Sequence, residues 1–127
     1  MTIPSEYQIV VHAEASYLAE QSKPSELRYV FAYRVNIKNL GTKTAQLISR
    51  HWYISDANGK VQEVIGEGVI GEQPILHPGE EFEYTSGAIL NTPVGSMHGY
   101  FSMVGVDSVA FNAEIPAFTL AQPNMIH

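Results

Sequence analysis

The sequence predicts an all-β domain: an immunoglobulin- or fibronectin-III-like antiparallel β-sandwich of seven or eight strands. Three observations carry this expectation. Apolar side chains recur at every second position in segment after segment, which is the period of a half-buried strand. Turn residues such as Gly, Pro and Asn separate those segments, and no run of about ten residues has a helical period. The 127 residues contain no repeat or linker, so residues 1–127 read as a single domain, long enough to bury a core without disulfides. A closed barrel is the alternative architecture.

Residues 7 to 14 open the chain with Tyr7, Ile9 and Val11 on one parity and Gln8, His12 and Glu14 on the other. Residues 15 to 27 lose the alternation and contain Pro24, so they read as a connection with a turn near Ala19. The cleanest strand runs from Arg28 to Asn39, with Tyr29, Phe31, Tyr33, Val35 and Ile37 on one face. Aromatic and β-branched residues fit such a pleated surface, and Gly41 then supplies turn chemistry through access to positive φ. Residues 46 to 55 alternate again, and Asp56-Ala57-Asn58-Gly59 followed by Val61 to Ile65 completes a hairpin. Pro78-Gly79 suits the centre of a type II turn. It leads into a strand over Glu80 to Leu90, broken by residues 91–95. Met97 to Val104 gives a further strand and Val109 to Leu120 one or two more, interrupted at Pro116. The aromatic sets Tyr29/Phe31/Tyr33 and Tyr100 with Phe101 are assigned to the core.

Thirteen acidic residues against seven basic ones leave a net charge of −6, which repels a polyanion. The basic residues are scattered and form no track for a phosphate backbone, so nucleic acid is not an expected partner. There is no cysteine, which removes thiol catalysis and Cys-ligated zinc and fits a reducing compartment. With no leader-like start and no apolar run of the roughly 18 residues a span needs, the expectation is a cytoplasmic protein without a membrane span.

Several motifs together resemble the bacterial ApaG family. They are Arg28-Tyr29-Val30-Phe31-Ala32-Tyr33, Asn39-Leu40-Gly41, Gly66-Glu67-Gly68-Val69-Ile70-Gly71, Gln73-Pro74, Pro78-Gly79-Glu80, Tyr84-Thr85-Ser86-Gly87-Ala88 and the ending Ile126-His127. The resemblance runs through nearly the whole chain in one order. It implies a fibronectin-III-like sandwich, as the alternation does independently. It also implies an association with cobalt resistance and magnesium efflux, and a likeness to domains of eukaryotic F-box proteins and a polymerase-interacting protein that look like recognition modules. No catalytic residue comes with it.

Gly66, Gly68 and Gly71 have the spelling of a phosphate-binding loop, and are phosphate-loop candidates on spelling alone. Such a loop needs a helix behind it. Pro74 and Pro78 leave no room for one, while Glu67 and Glu72 would face the phosphates, so the glycines read as torsional requirements of an irregular loop. The histidines at 12, 51, 77, 98 and 127 lack metal-ligand spacing. An oxygen-ligand site for magnesium or cobalt would have to draw on Glu63, Glu67, Glu80 or Glu81. No Gly-x-Ser-x-Gly elbow is present, and Asp56 and Asp107 fall in turns, so the chain is expected to be neither an enzyme nor a cofactor binder.

Val69, Ile70, Ile75 and Leu76 stand outside any alternation, in a loop bracketed by glycines and prolines. Exposed apolar groups rimmed by charge mark interaction sites; the competing reading tucks them under the loop as a satellite cluster. The expected function is a non-catalytic module that contacts an unidentified protein partner through residues 66–79, a homo-oligomer being left open. The alternative is a small-ligand binder for divalent cations or nucleotide phosphates.

Overall fold

The computed structural model describes residues 6–123. The Ile126-His127 ending and residues 1–5 lie outside that range. The described residues form eight strands in order: β1 (Ile9–Tyr17), β2 (Tyr29–Asn39), β3 (Ala45–Asp56), β4 (Val61–Glu67), β5 (Ile75–Leu76), β6 (Glu81–Leu90), β7 (Val94–Gly105) and β8 (Ala110–Ala121). They form two antiparallel sheets, one in the order β1-β2-β6 and the other in the order β4-β3-β7-β8, with β5 added to the start of β3. That is a fibronectin-III-like sandwich. Two 3₁₀ turns, Ala19–Gln21 and Pro24–Glu26, cross the β1–β2 connection.

The core forms because strand alternation sends one parity of each inner face between the sheets. From β2 these are Phe31, Tyr33, Val35 and Ile37, all buried. From β3 and β7 they meet Leu47, Trp52, Phe101 and Met103. Trp52 is the hub, with ring centres 5.3 Å from Tyr33, 6.3 Å from Phe101 and 5.9 Å from Phe118, all edge-on. Burying each such side chain stabilises the fold by roughly 2–3 kcal/mol, less the entropy of fixing it.

Several local expectations are revised. Val109–Leu120 is not split at Pro116: β8 is one strand, and the register between Met97 and Gly99 shifts so that two residues, Pro116 and Ala117, oppose His98. A bulge is where a strand tolerates proline, since no ladder bond is asked of its nitrogen. β1 runs on to Tyr17, and β7 starts at Val94 inside the expected break. Gly41 does not use positive φ; a Cβ there would strike the Glu6 carbonyl oxygen, so close approach is what requires glycine. Tyr100 is not core. It pairs with His51 on the outer face of its sheet, while Phe101 beside it is fully buried. The turns at 56–60 and 77–80 form as expected, with Gly59 at φ 85° and Gly79 at φ 86°.

Candidate interaction site

Residues 66–79 connect β4 to β6 and are tied at both ends. At the far end the tie is Asn39, which is fully buried. Its Nδ2 donates to the carbonyls of Lys43 and Leu76, both at 2.9 Å, and its Oδ1 accepts from the Gly41 amide at 2.8 Å. Its own backbone closes the pair with Gly79 N–H (2.8 Å) and Glu80 C=O (2.9 Å). All the polar groups of a buried amide are thereby satisfied, as burial demands.

At the near end the tie is a bulge in β3. Leu47 pairs with Met103 and Ser49 with Ser102, leaving Ile48 as the extra residue. Its carbonyl turns to the loop and accepts from Gly68 N–H (2.8 Å) and Gln73 Nε2 (2.9 Å). The bulge also sets the parity of the rest of β3, so that Arg50 pairs with the buried Phe101 and shares the Trp52 side of the strand. Arg50 Nη1 donates to the carbonyls of Glu67 (3.0 Å) and Gly68 (2.9 Å). The middle of the loop is held by Leu47 N–H to Pro74 C=O at 3.0 Å and Gln46 Nε2 to Gln73 C=O at 3.1 Å.

Between the ties the chain makes a miniature hairpin. Val69 and Glu72 exchange both backbone hydrogen bonds, at 2.8 and 2.9 Å, across Ile70 (φ 44°) and Gly71 (φ 79°). Positive φ at both central residues is the pattern of a type I′ turn, which favours Asn-Gly. A β-branched residue there is strained, at a cost of roughly 1–3 kcal/mol.

The three candidate glycines have three separate roles. A Cβ on Gly66 would land on the Arg50 guanidinium, 2.7 Å from Nη2. Gly68, at φ 61°, has no room beside the Glu72 carbonyl oxygen. Gly71 has open space but needs its positive φ. The loop runs into β5, and among the described residues no helix comes after it. The amides of Gly68, Val69 and Glu72 already serve the protein's own carbonyls.

The structure divides the four apolar candidates. Val69 (0% exposed) and Leu76 (3%) are core residues, a correction to their grouping as partner contacts. The hairpin turns Val69 inward, and pairing with Ala45 carries Leu76 into the sandwich. Ile70 (56%) and Ile75 (55%) are exposed. Beside Ile75 lies a shallow groove of about 150 Å³ bounded by Gln46, Val104 and Val106.

Asn39, Ile48, Arg50 and Gln73 were missed as loop-positioning residues. One signal was available: Arg50 is the only Lys or Arg within β3, β4, β5, β7 and β8.

Around the loop the electrostatics are local. Glu80 Oε1 accepts from the His77 amide at 2.7 Å and meets His77 Nδ1 at 2.6 Å, and these bonds, the amide first, hold its carboxyl below the ordinary range. Burial raises the hydroxyls of Tyr33 and Tyr84, with nearby Arg50 working the other way. Among the described residues no three His, Asp or Glu side chains group to hold a metal ion, and no helix is long and apolar enough to cross a membrane.

The chain is thus a small all-β domain, a fibronectin-III-like sandwich with one braced, glycine-rich loop. Residues 19–105 match the ApaG domain family, and the chain belongs to that family. It is 61% identical to the ApaG protein of Thiobacillus denitrificans over 95% of both chains. It is 54% identical to that of Aromatoleum aromaticum over 100% of both. A solved structure from Bordetella pertussis, named as an ApaA protein, superposes with TM-score 0.93 at 49% identity, covering 96% of this chain and 99% of that one.

Proposed function

We propose that this chain is a non-catalytic binding module that contacts a partner protein through the 66–79 loop, with Ile70 and Ile75 as its anchors. The observation that carries the reading is Ile70. A β-branched side chain is held in left-handed backbone and pointed at water, on a loop braced from both ends. Neither stability nor solubility favours that residue there, and such strain persists where a surface is used. The braces matter because a pre-ordered loop loses little entropy on binding. The lack of cysteine supports a cytoplasmic setting.

The test is quantitative affinity capture from a native lysate with the wild-type chain and the Ile70→Ser/Ile75→Ser variant. A few buried anchors dominate most interfaces, so the double change should cost about 2 kcal/mol or more of binding while folding survives. Unaltered capture of every partner by the folded variant would overturn the reading.

A further inference from the structure

We propose that the outer face of the β4-β3-β7-β8 sheet recognises an arginine-bearing segment of a partner protein; this deepens the binding-module reading and rests on it. Residues directly opposite one another in a sheet share a face. Two adjacent rows across this sheet are Glu63-Tyr53-His98 and Ile65-His51-Tyr100-Glu114. At their centre four rings form a block. His51 and Tyr100 stack with centres 4.9 Å apart, Tyr53 and His98 at 5.1 Å, and His51 joins Tyr53 at 4.8 Å. Tyr100 Oη lies 3.0 Å from His51 Nδ1, which fixes the block. Glu63 Oε2 stands 3.3 Å from His51 Nε2, close enough for an ion pair though off line for a hydrogen bond.

Charge selects the occupant. On the outer face of the other sheet an arginine already serves the carboxylates: Arg34 sits between Glu14 and Glu83, and Asn36 also reaches Glu83. Among the described residues the ring-bearing face has no Lys or Arg in that role, and only Glu63 has a neighbour that can carry the opposite charge, His51. Arg50, the one Lys or Arg in its strands, is turned to the loop carbonyls, and Glu67 and Glu114 are in no ion pair among the described residues. The face therefore combines ring surfaces, uncompensated carboxylates and an exposed aliphatic residue, Ile65 (66% exposed). A guanidinium meets all three demands. It is planar, weakly hydrated, stacks on aromatic rings and bonds carboxylates in a fork, which an ammonium does less well. The grooves beside Ile75 and over Ile48 lie on the same sheet and offer room for apolar neighbours of the arginine.

The probe is a fluorescein-labelled peptide alternating arginine with valine, titrated by anisotropy at physiological ionic strength, with lysine and glutamate counterparts. The arginine peptide should bind saturably, the lysine peptide several-fold more weakly and the glutamate peptide not at all. Glu63→Lys with Glu114→Lys should weaken the arginine peptide by roughly tenfold or more. Glu20→Lys with Glu26→Lys, the same change of net charge in the β1–β2 connection, should leave it within about twofold. His98→Ala, an exposed position, should weaken it several-fold with no carboxylate changed. No saturable binding, equal loss in the Glu20/Glu26 variant, or an unaffected His98→Ala would overturn the proposal. Failure here leaves the loop reading standing, since that reading is decided by capture with the Ile70/Ile75 variant.

Discussion

The guanidinium of Arg50 occupies the space where a side chain on Gly66 would begin, and from there donates to the carbonyls of Glu67 and Gly68. One residue's missing Cβ admits another residue's charge, and the loop is fastened by the result. Replacing Arg50 with methionine should cost about 2 kcal/mol, the scale of hydrogen bonds to a charged group. Gly66→Ala should cost a similar amount by displacing the guanidinium. The double variant should lose little more than either single one, because both remove the same contact. Denaturant unfolding of the three variants measures this, and full additivity would contradict it.

The loop's four apolar residues should separate cleanly in stability. Val69→Ser and Leu76→Ser each place a hydroxyl in the core and remove methyl packing, at about 2–4 kcal/mol. Ile75→Ser is at an exposed position and should stay within roughly 0.5 kcal/mol of wild type. Thermal melts of the single variants check the ordering.

Asp107 gives a pH dependence. Its carboxylate accepts from the Tyr7 hydroxyl and from Lys43 Nζ at 3.0 Å, and those bonds draw its pKa from 3.8 down to about 2. A group depressed in the folded state stabilises above its unfolded pKa and loses that contribution as pH falls through the folded one. The contribution is therefore full above 3.8 and fades towards about 2. Asp107→Asn should lower the melting temperature at neutral pH, and the gap from wild type should shrink as the pH is brought down to about 2. A gap that stays constant across this range would contradict the assignment.

Much of the fold was legible because alternation is local. Tyr29 to Ile37 and the Asn58-Gly59 hairpin announce themselves within a few residues, and both form. What was hidden is non-local. The extra residue at Ile48 carries no local mark, yet it reverses the parity of β3 and sends Arg50 inward. β5 is two residues long, too short for any period, so the burial of Leu76 depends on Ala45 far away in sequence. Tyr100 and Phe101 are adjacent and aromatic, and adjacent residues in a strand face opposite ways; only the partner sheet says which one is core. The glycine pattern had a legible local requirement, positive φ, but the clash that excludes a side chain at Gly66 comes from Arg50 on the neighbouring strand.

The claim that Ile70 is kept for contact rather than for folding has a direct measurement: melting temperature and partner capture, taken side by side for Ile70→Asn. Asparagine before Gly71 is the residue a type I′ turn prefers, so the variant should gain about 1 kcal/mol by relieving left-handed strain. It also removes an exposed apolar anchor, so capture should fall although the fold is firmer. A higher melting temperature with lower capture is the result expected. A firmer variant that captures its partner as well as wild type would contradict the account, because the strained isoleucine would then have no role at the surface.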